Sequence, residues 1–197
     1  ECAGINHLAW LTILEHKGED LYPTLMAKWE KEVADHLKGN TGAKDIVRKD
    51  MALHFGAFIT ESSGHLSEYL PYYRKRKDLV RDYMRPQYEG ESSFYANNWP
   101  TWRKNADADR EKMISGEKDL NLKRSWEYAA FIIEAREKRT PYRIHGNVYN
   151  TSNGGAGQLI SNLPADGCVE VPVMIDANGL NPCRIGELPP QMASVCA

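Results

Sequence analysis

Gly4–Trp10 reads GINHLAW, with a glycine, an asparagine and a histidine set into an otherwise apolar stretch. Within the longer run AGINHLAWLTIL, residues 3–14, apolar and β-branched side chains predict a buried strand. Successive side chains of a strand point to opposite faces, so Asn6 and His7 are expected to serve different sides of it. An imidazole in that setting is either a satisfied core group or a ligand for a divalent metal. The chain enters this stretch at once, through Glu1 and Cys2, without a Met. That predicts a proteolytic start, an engineered start or a missing domain.

Downstream the period lengthens. Leu21, Leu25, Trp29, Val33 and Leu37 recur at helical spacing and predict an amphipathic helix over 19–38, ending near Gly39. A second helix is predicted over 43–55, with Ile46, Met51, Leu53 and Phe55 as its apolar residues and Gly56 as its stop. Residues 58–73, FITESSGHLSEYLPYY, run from a short apolar piece through a polar turn into a short helix or irregular segment rich in tyrosine. Residues 85–124 are polar, with Tyr95, Trp99 and Trp102 among them, and predict helix with exposed connections. Ser125 is the expected N-cap of a helix over 125–138, with Glu127 suited to its first turn. After Pro141 the turn signals SNGG, ADG, ANG and LPP punctuate strand-like sequence. There CVEVPVMIDA sets Val169, Val171 and Val173 on one side, and Pro172 argues for an edge strand or a bulge. Helices come first and strands later, so the expected fold class is α+β.

Composition removes several function classes. The net charge is −2, and the basic run Arg74-Lys75-Arg76-Lys77 is short and followed by Asp78, which predicts a solvated segment and no nucleic-acid partner. No apolar run approaches the roughly 20 residues that span a bilayer, and no signal peptide opens the chain, so a cytoplasmic protein without membrane contact is expected. Cys2, Cys168, Cys183 and Cys196 are irregularly spaced and fit no zinc pattern. They are expected to be reduced thiols, with Cys168 and Cys183 as small buried hydrophobes. No glycine-rich dinucleotide fingerprint or P-loop is present, and GGAG at 154–157 reads as a flexible turn.

Two further clusters can carry chemistry. Glu61, Ser62, Ser63, His65, Glu68, Tyr69, Tyr72 and Tyr73 crowd into residues 61–73. On a helix His65 and Tyr69 share one face. An imidazole and a phenol so placed form a proton-transfer unit where a nearby cation or metal lowers the phenol pKa. The competing reading is an aromatic packing segment with solvated glutamates. The second cluster holds Asn147, Asn150, Asn153 and Asn162, with Glu170 and Asp176 further on. Such amides either satisfy turn backbone or bind sugar hydroxyls, since one amide both donates and accepts.

Three stretches, CAGINHLAW, ITESSGHLSEYLPYY and IHGNVYN followed by LISNLPADGCVEVPVMIDANGLNPCRIGELPP, occur in this order. Together they resemble the second half of glycoside hydrolase family 4, most closely its α-galactosidase branch. The resemblance implies an α+β domain of the lactate-dehydrogenase C-terminal type over residues 1–197, truncated at both ends. It also implies an absent N-terminal Rossmann domain that carries the NAD site and the cysteine of the metal site, so that Cys2 is not that ligand. The family is the redox exception among glycosidases. Its mechanism implies hydride transfer from sugar C3 to NAD⁺, with a divalent metal such as Mn²⁺ polarising the C3 oxygen. A base then removes the C2 proton, the aglycone is eliminated, water adds and the steps reverse. By the same resemblance His7 matches the metal-binding histidine and Tyr69 the C2 base, while His65 contacts sugar or metal. Asn6, Asn147 and Asn150 are the implied sugar contacts. The partners implied are an α-linked sugar, the Rossmann domain and further copies in a homo-oligomer, and the isolated chain is expected to be inactive. Alternatives are an α-glucosidase or α-galacturonidase of the same family, or a non-catalytic sugar-binding or oligomerisation module.

Overall fold

The computed structural model describes residues 1–40 and 42–197. The run expected to form one strand over 3–14 is a hairpin. Strand β1 (Cys2–Ile5) turns through Asn6 and His7 into β2 (Leu8–Leu11), pairing Ile5 with Leu8. The polar pair interrupts the apolar alternation, and His7 takes φ of +67°, a left-handed value that Asn, Asp and His tolerate better than other side chains. A Cβ on Gly4 would stand 2.8 Å from Ala9 Cα, so the close approach of the two strands requires glycine there. Asn6 and His7 therefore sit together at a loop tip, and the opposite-face expectation does not apply.

A small exposed hairpin, β3 (Glu15–His16) and β4 (Glu19–Asp20), leads into α1 (Tyr22–Leu37). Helix α1 buries Trp29, Val33 and His36, while Leu37 is half exposed. The true period of 3.6 residues favours position 36 over 37 after Trp29 and Val33. Helix α2 (Ile46–Phe55) ends on Gly56 at φ of +84°, as expected. Then come β5 (Phe58–Ile59), which pairs with β2, and the short α3 (Ser63–Tyr69), whose N-cap Ser62 accepts from the His65 N–H.

The basic run leads into an unanticipated helix, α4 (Lys77–Tyr83). It is not wholly solvated, because Arg74 donates to Ser67 Oγ at 2.9 Å and to the Gly90 carbonyl at 3.0 Å. Helix α5 (Phe94–Ser115) buries no residue at all. Helix α6 (Ala129–Lys138) starts later than the predicted cap at Ser125. Ser125 Oγ instead accepts from the Glu127 N–H, closing a local turn before the helix. Strands β6 (Tyr142–Tyr149), β7 (Cys168–Asp176) and β8 (Gly179–Pro182) and the terminal α7 (Pro190–Cys196) complete the chain.

The main sheet runs β5-β2-β1-β7-β6, with β8 also on β7, and its ladders are antiparallel. The α+β expectation holds. Strand β7 is interior, which corrects the reading of Pro172 as an edge or bulge. Its carbonyl accepts from the Cys183 N–H at 2.8 Å, so its nitrogen faces the same flank. On that flank β1 pairs only at Gly4–Glu170 and β8 begins at Val173–Pro182, so no ladder donor is required at Pro172. Val169, Val171, Val173 and Ile175 alternate into the core with Trp10, Ile59, Leu66 and Ile160. Cys168 falls on the other phase of β7 and is exposed, and Cys183 is half-buried. The buried thiols are Cys2 and Cys196, which reverses the expectation. All four are free.

Candidate functional site

Three segments meet at one corner of the sheet. The β1–β2 hairpin presents His7, the exit of β5 presents Glu61, and α3 presents His65 and Tyr69. The Thr60 N–H donates to the Ala9 carbonyl at 2.9 Å and ties the exit of β5 to the hairpin. His7, Glu61 and His65 each bring one donor atom to within 4.8 Å of the others. Glu61 Oε2 is hydrogen-bonded to His7 Nδ1, and Glu61 Oε1 lies 3.5 Å from His65 Nδ1. The Tyr69 ring stands 5.4 Å from that of His7 and 5.9 Å from that of His65. The fold thus joins His7 to the His65–Tyr69 pair across more than fifty residues of sequence.

Burial works to raise the Glu61 pKa, but hydrogen bonds from Ser62 and His7 outweigh it and hold the carboxyl below its usual value. The two imidazoles offer nitrogen donors of the kind divalent transition metals accept, and the carboxylate between them is placed to orient both rings. The residues therefore fit the metal that the resemblance implies. Cys2 is a poor ligand: burial pushes its thiol up to about 11, and it lies on the sheet beside Glu170 rather than at the corner. Burial also raises the Glu170 carboxyl, with the charge of His7 pulling the other way.

Two tyrosines enclose the corner that the sequence did not single out for it. The rings of Tyr88 and Tyr95 lie 5.6 and 5.3 Å from His65. Gly64 permits this, since a Cβ there would collide with the Tyr88 carbonyl oxygen. A hydrogen bond with Tyr88 pushes the Tyr95 phenol up to about 12. Glu61 was visible within the crowded segment, and its position four residues before His65 was the signal that could have assigned it. Nothing in the local sequence announces Tyr88.

The asparagines divide. Asn6 and Asn147 are exposed and line one cavity of about 320 Å³ with Leu163, Cys168 and Val169. Asn150, expected as a sugar contact, is fully buried. Its amide nitrogen donates to the Ile160, Leu163 and Pro164 carbonyls, and its oxygen accepts from the Ile160 N–H. No group is left for a sugar, so its role is to fold the loop onto the sheet. Asn153 donates to the Gly157 carbonyl within its own turn, and Asn162 ties its segment to Leu188, donating to that carbonyl and accepting from that N–H. Another cavity, of about 370 Å³, lies apart from the corner among Met51, Phe55, Tyr72 and Tyr73. Its one carboxylate, Asp50, already accepts from Tyr73 and Tyr83. Among the described residues the ladders are antiparallel, and no βαβ unit for a dinucleotide is present.

A family model described as "Family 4 glycosyl hydrolase C-terminal domain" matches residues 2–197. An α-galactosidase of Bacillus subtilis (strain 168) is 36% identical over 197 residues, covering 98% of this chain and 41% of that protein. The chain thus spans about two fifths of the length of that relative. Two solved structures share the fold. LplD of Bacillus subtilis, described as a glucosidase, superposes at a TM-score of 0.76 with 22% identity, covering all of this chain and 44% of its own. A 6-phospho-α-glucosidase from gut microorganisms, solved with NAD and Mn²⁺, gives 0.60 with 17% identity, covering 99% and 43%.

Proposed function

The chain belongs to glycosyl hydrolase family 4, as its C-terminal domain, and from that premise we propose that the protein carrying it hydrolyses α-galactosides with NAD and a divalent metal. The observation that carries this reading is the convergence of His7, Glu61, His65 and Tyr69 at one corner. The α-galactosidase at 36% identity supports the choice of sugar. Bound at His7, the metal would polarise the sugar C3 oxygen, and NAD, held outside this chain, would accept the C3 hydride. Tyr69 takes the C2 proton on its phenol oxygen. His65, on the same face of α3, orients the sugar against it. Asn6 and Asn147 exchange hydrogen bonds with sugar hydroxyls across their shared cavity. The chain by itself is inactive, because the dinucleotide site and the remaining metal ligand lie in the preceding domain. The exposed apolar side chains of α5 and the segment after it support contact with that domain or with a second copy.

The test is an assay of the full-length protein on p-nitrophenyl α-galactoside with NAD⁺, Mn²⁺ and a thiol. Turnover that needs both NAD⁺ and Mn²⁺, and slows when C2 of the sugar carries deuterium, is the expected result. Turnover without NAD⁺ would rule the proposal out.

A further inference from the structure

A histidine at a loop tip needs something to aim it. The His7 side chain is 46% exposed on a strained backbone at φ of +67°, and the Tyr69 and His65 rings beside it make no hydrogen bond that selects which nitrogen faces where. Among the described residues, the side chain that hydrogen-bonds to its ring is Glu61. That carboxylate is itself held, with only 10% of its side chain exposed. Its Oε1 accepts the Ser62 N–H at 2.6 Å and faces His65 Nδ1, and its Oε2 is taken by His7 Nδ1. The Thr60–Ala9 hydrogen bond fixes the backbone from which it springs.

We propose that Glu61 is the positioning residue of this corner: it accepts a proton-bearing Nδ1 from His7, and so turns the unprotonated Nε2 outward as the ligand atom. An ionised carboxylate only accepts, so the ring nitrogen facing it carries the hydrogen and the other nitrogen keeps its lone pair. This is the carboxylate–histidine arrangement that sets the tautomer and basicity of metal-bound imidazoles. Both Glu61 oxygens are engaged within the protein, which makes the residue an orienting group and not a ligand. Through Oε1 it also faces His65, so one carboxylate sets the spacing between two imidazoles on different elements. The metal part of this proposal rests on the reading of His7 as a ligand, whereas the tautomer part stands without it.

The experiment has two readouts on the full-length protein labelled with ¹⁵N-histidine. Long-range ¹H–¹⁵N correlation spectra of the metal-free protein, with His7 assigned by its loss in His7→Ala, give the tautomer. The expected result is Nδ1–H in the wild type, a mixed or Nε2–H ring in Glu61→Ala, and retention of Nδ1–H in Glu61→Asp. Mn²⁺ titration followed by electron paramagnetic resonance should show affinity falling about 10–100-fold in Glu61→Ala and less in Glu61→Asp. Glu61→Leu, which fills the site without offering an acceptor, replaces the alanine variant should that protein fail to fold. A His7 tautomer unchanged in Glu61→Ala, or in the leucine variant that replaces it, overturns the proposal. So does Mn²⁺ affinity within twofold of wild type in variants where His7→Ala abolishes binding. Should His7→Ala itself leave Mn²⁺ binding intact, the assignment of the metal ligand fails, and the tautomer spectra still decide the role of Glu61.

Discussion

The hairpin corner and the arm from Trp99 to Tyr128, which runs on from the Tyr95 that helps enclose the corner, are built in opposite ways. At the corner, polar groups stand on a buried frame: Trp10, Ile59 and Leu66 are fully buried within a few residues of His7, Glu61 and His65. In the arm the helix buries nothing, and Trp99, Ile114, Leu122 and Trp126 lie open to solvent. Rigid packing beneath a site holds ligating atoms in place. Apolar surface without packing beneath it marks a face meant for contact. On the function proposed above, chemistry would belong to the first region and association to the second.

The comparison yields graded expectations. His7→Ala in the full-length protein should remove metal-dependent turnover by roughly 10³-fold, the rate equivalent of several kcal/mol of Lewis-acid stabilisation, as read from Mn²⁺-dependent assays. Asn150→Ala should cost stability rather than specific chemistry, on the order of 2–4 kcal/mol, because it leaves the buried Ile160 N–H without its acceptor and takes one of two donors from the Ile160, Leu163 and Pro164 carbonyls. Urea unfolding measures it, and a variant as stable as wild type would return Asn150 to the sugar site. Gly64→Ala should cost about 1–3 kcal/mol and displace Tyr88 from His65, visible as lost ring contacts in a crystal structure.

A smaller effect depends on pH. Burial raises the Glu170 carboxyl, so the folded state binds its proton more tightly than the unfolded state does. Stability is thus full below the unfolded pKa and declines as pH rises through the folded one. Glu170→Gln should match wild type in acid and exceed it slightly at neutral pH, in unfolding curves taken across that range. Smallest of all, Trp126→Ala, at a fully exposed position, should change stability by less than about 0.5 kcal/mol. A large loss there would mean that the arm packs and that the contrast between the regions is false.

Much of this was legible in sequence, for reasons that differ by element. The second helix was readable because Gly56 gave its stop, and β7 because its valines alternate. The hairpin was not, since two polar residues inside an apolar run look like a strand until register is known. Periodicity also placed Leu37 where His36 belongs, because a spacing of four drifts from the true turn. The His65–Tyr69 pair followed from a spacing of four residues. Its meeting with His7 depends on the β2–β5 pairing, which no local signal encodes. Asn147 and Asn150 are three residues apart and chemically identical, and only burial separates a cavity wall from a scaffold.

The central claim is that the metal of a family 4 glycosidase binds at this corner. Anomalous scattering from crystals of the full-length protein soaked in Mn²⁺ tests it most directly. The account predicts a peak within bonding distance of His7 Nε2, with Glu61 on the far side of the ring. A peak that makes no contact with His7 would contradict it.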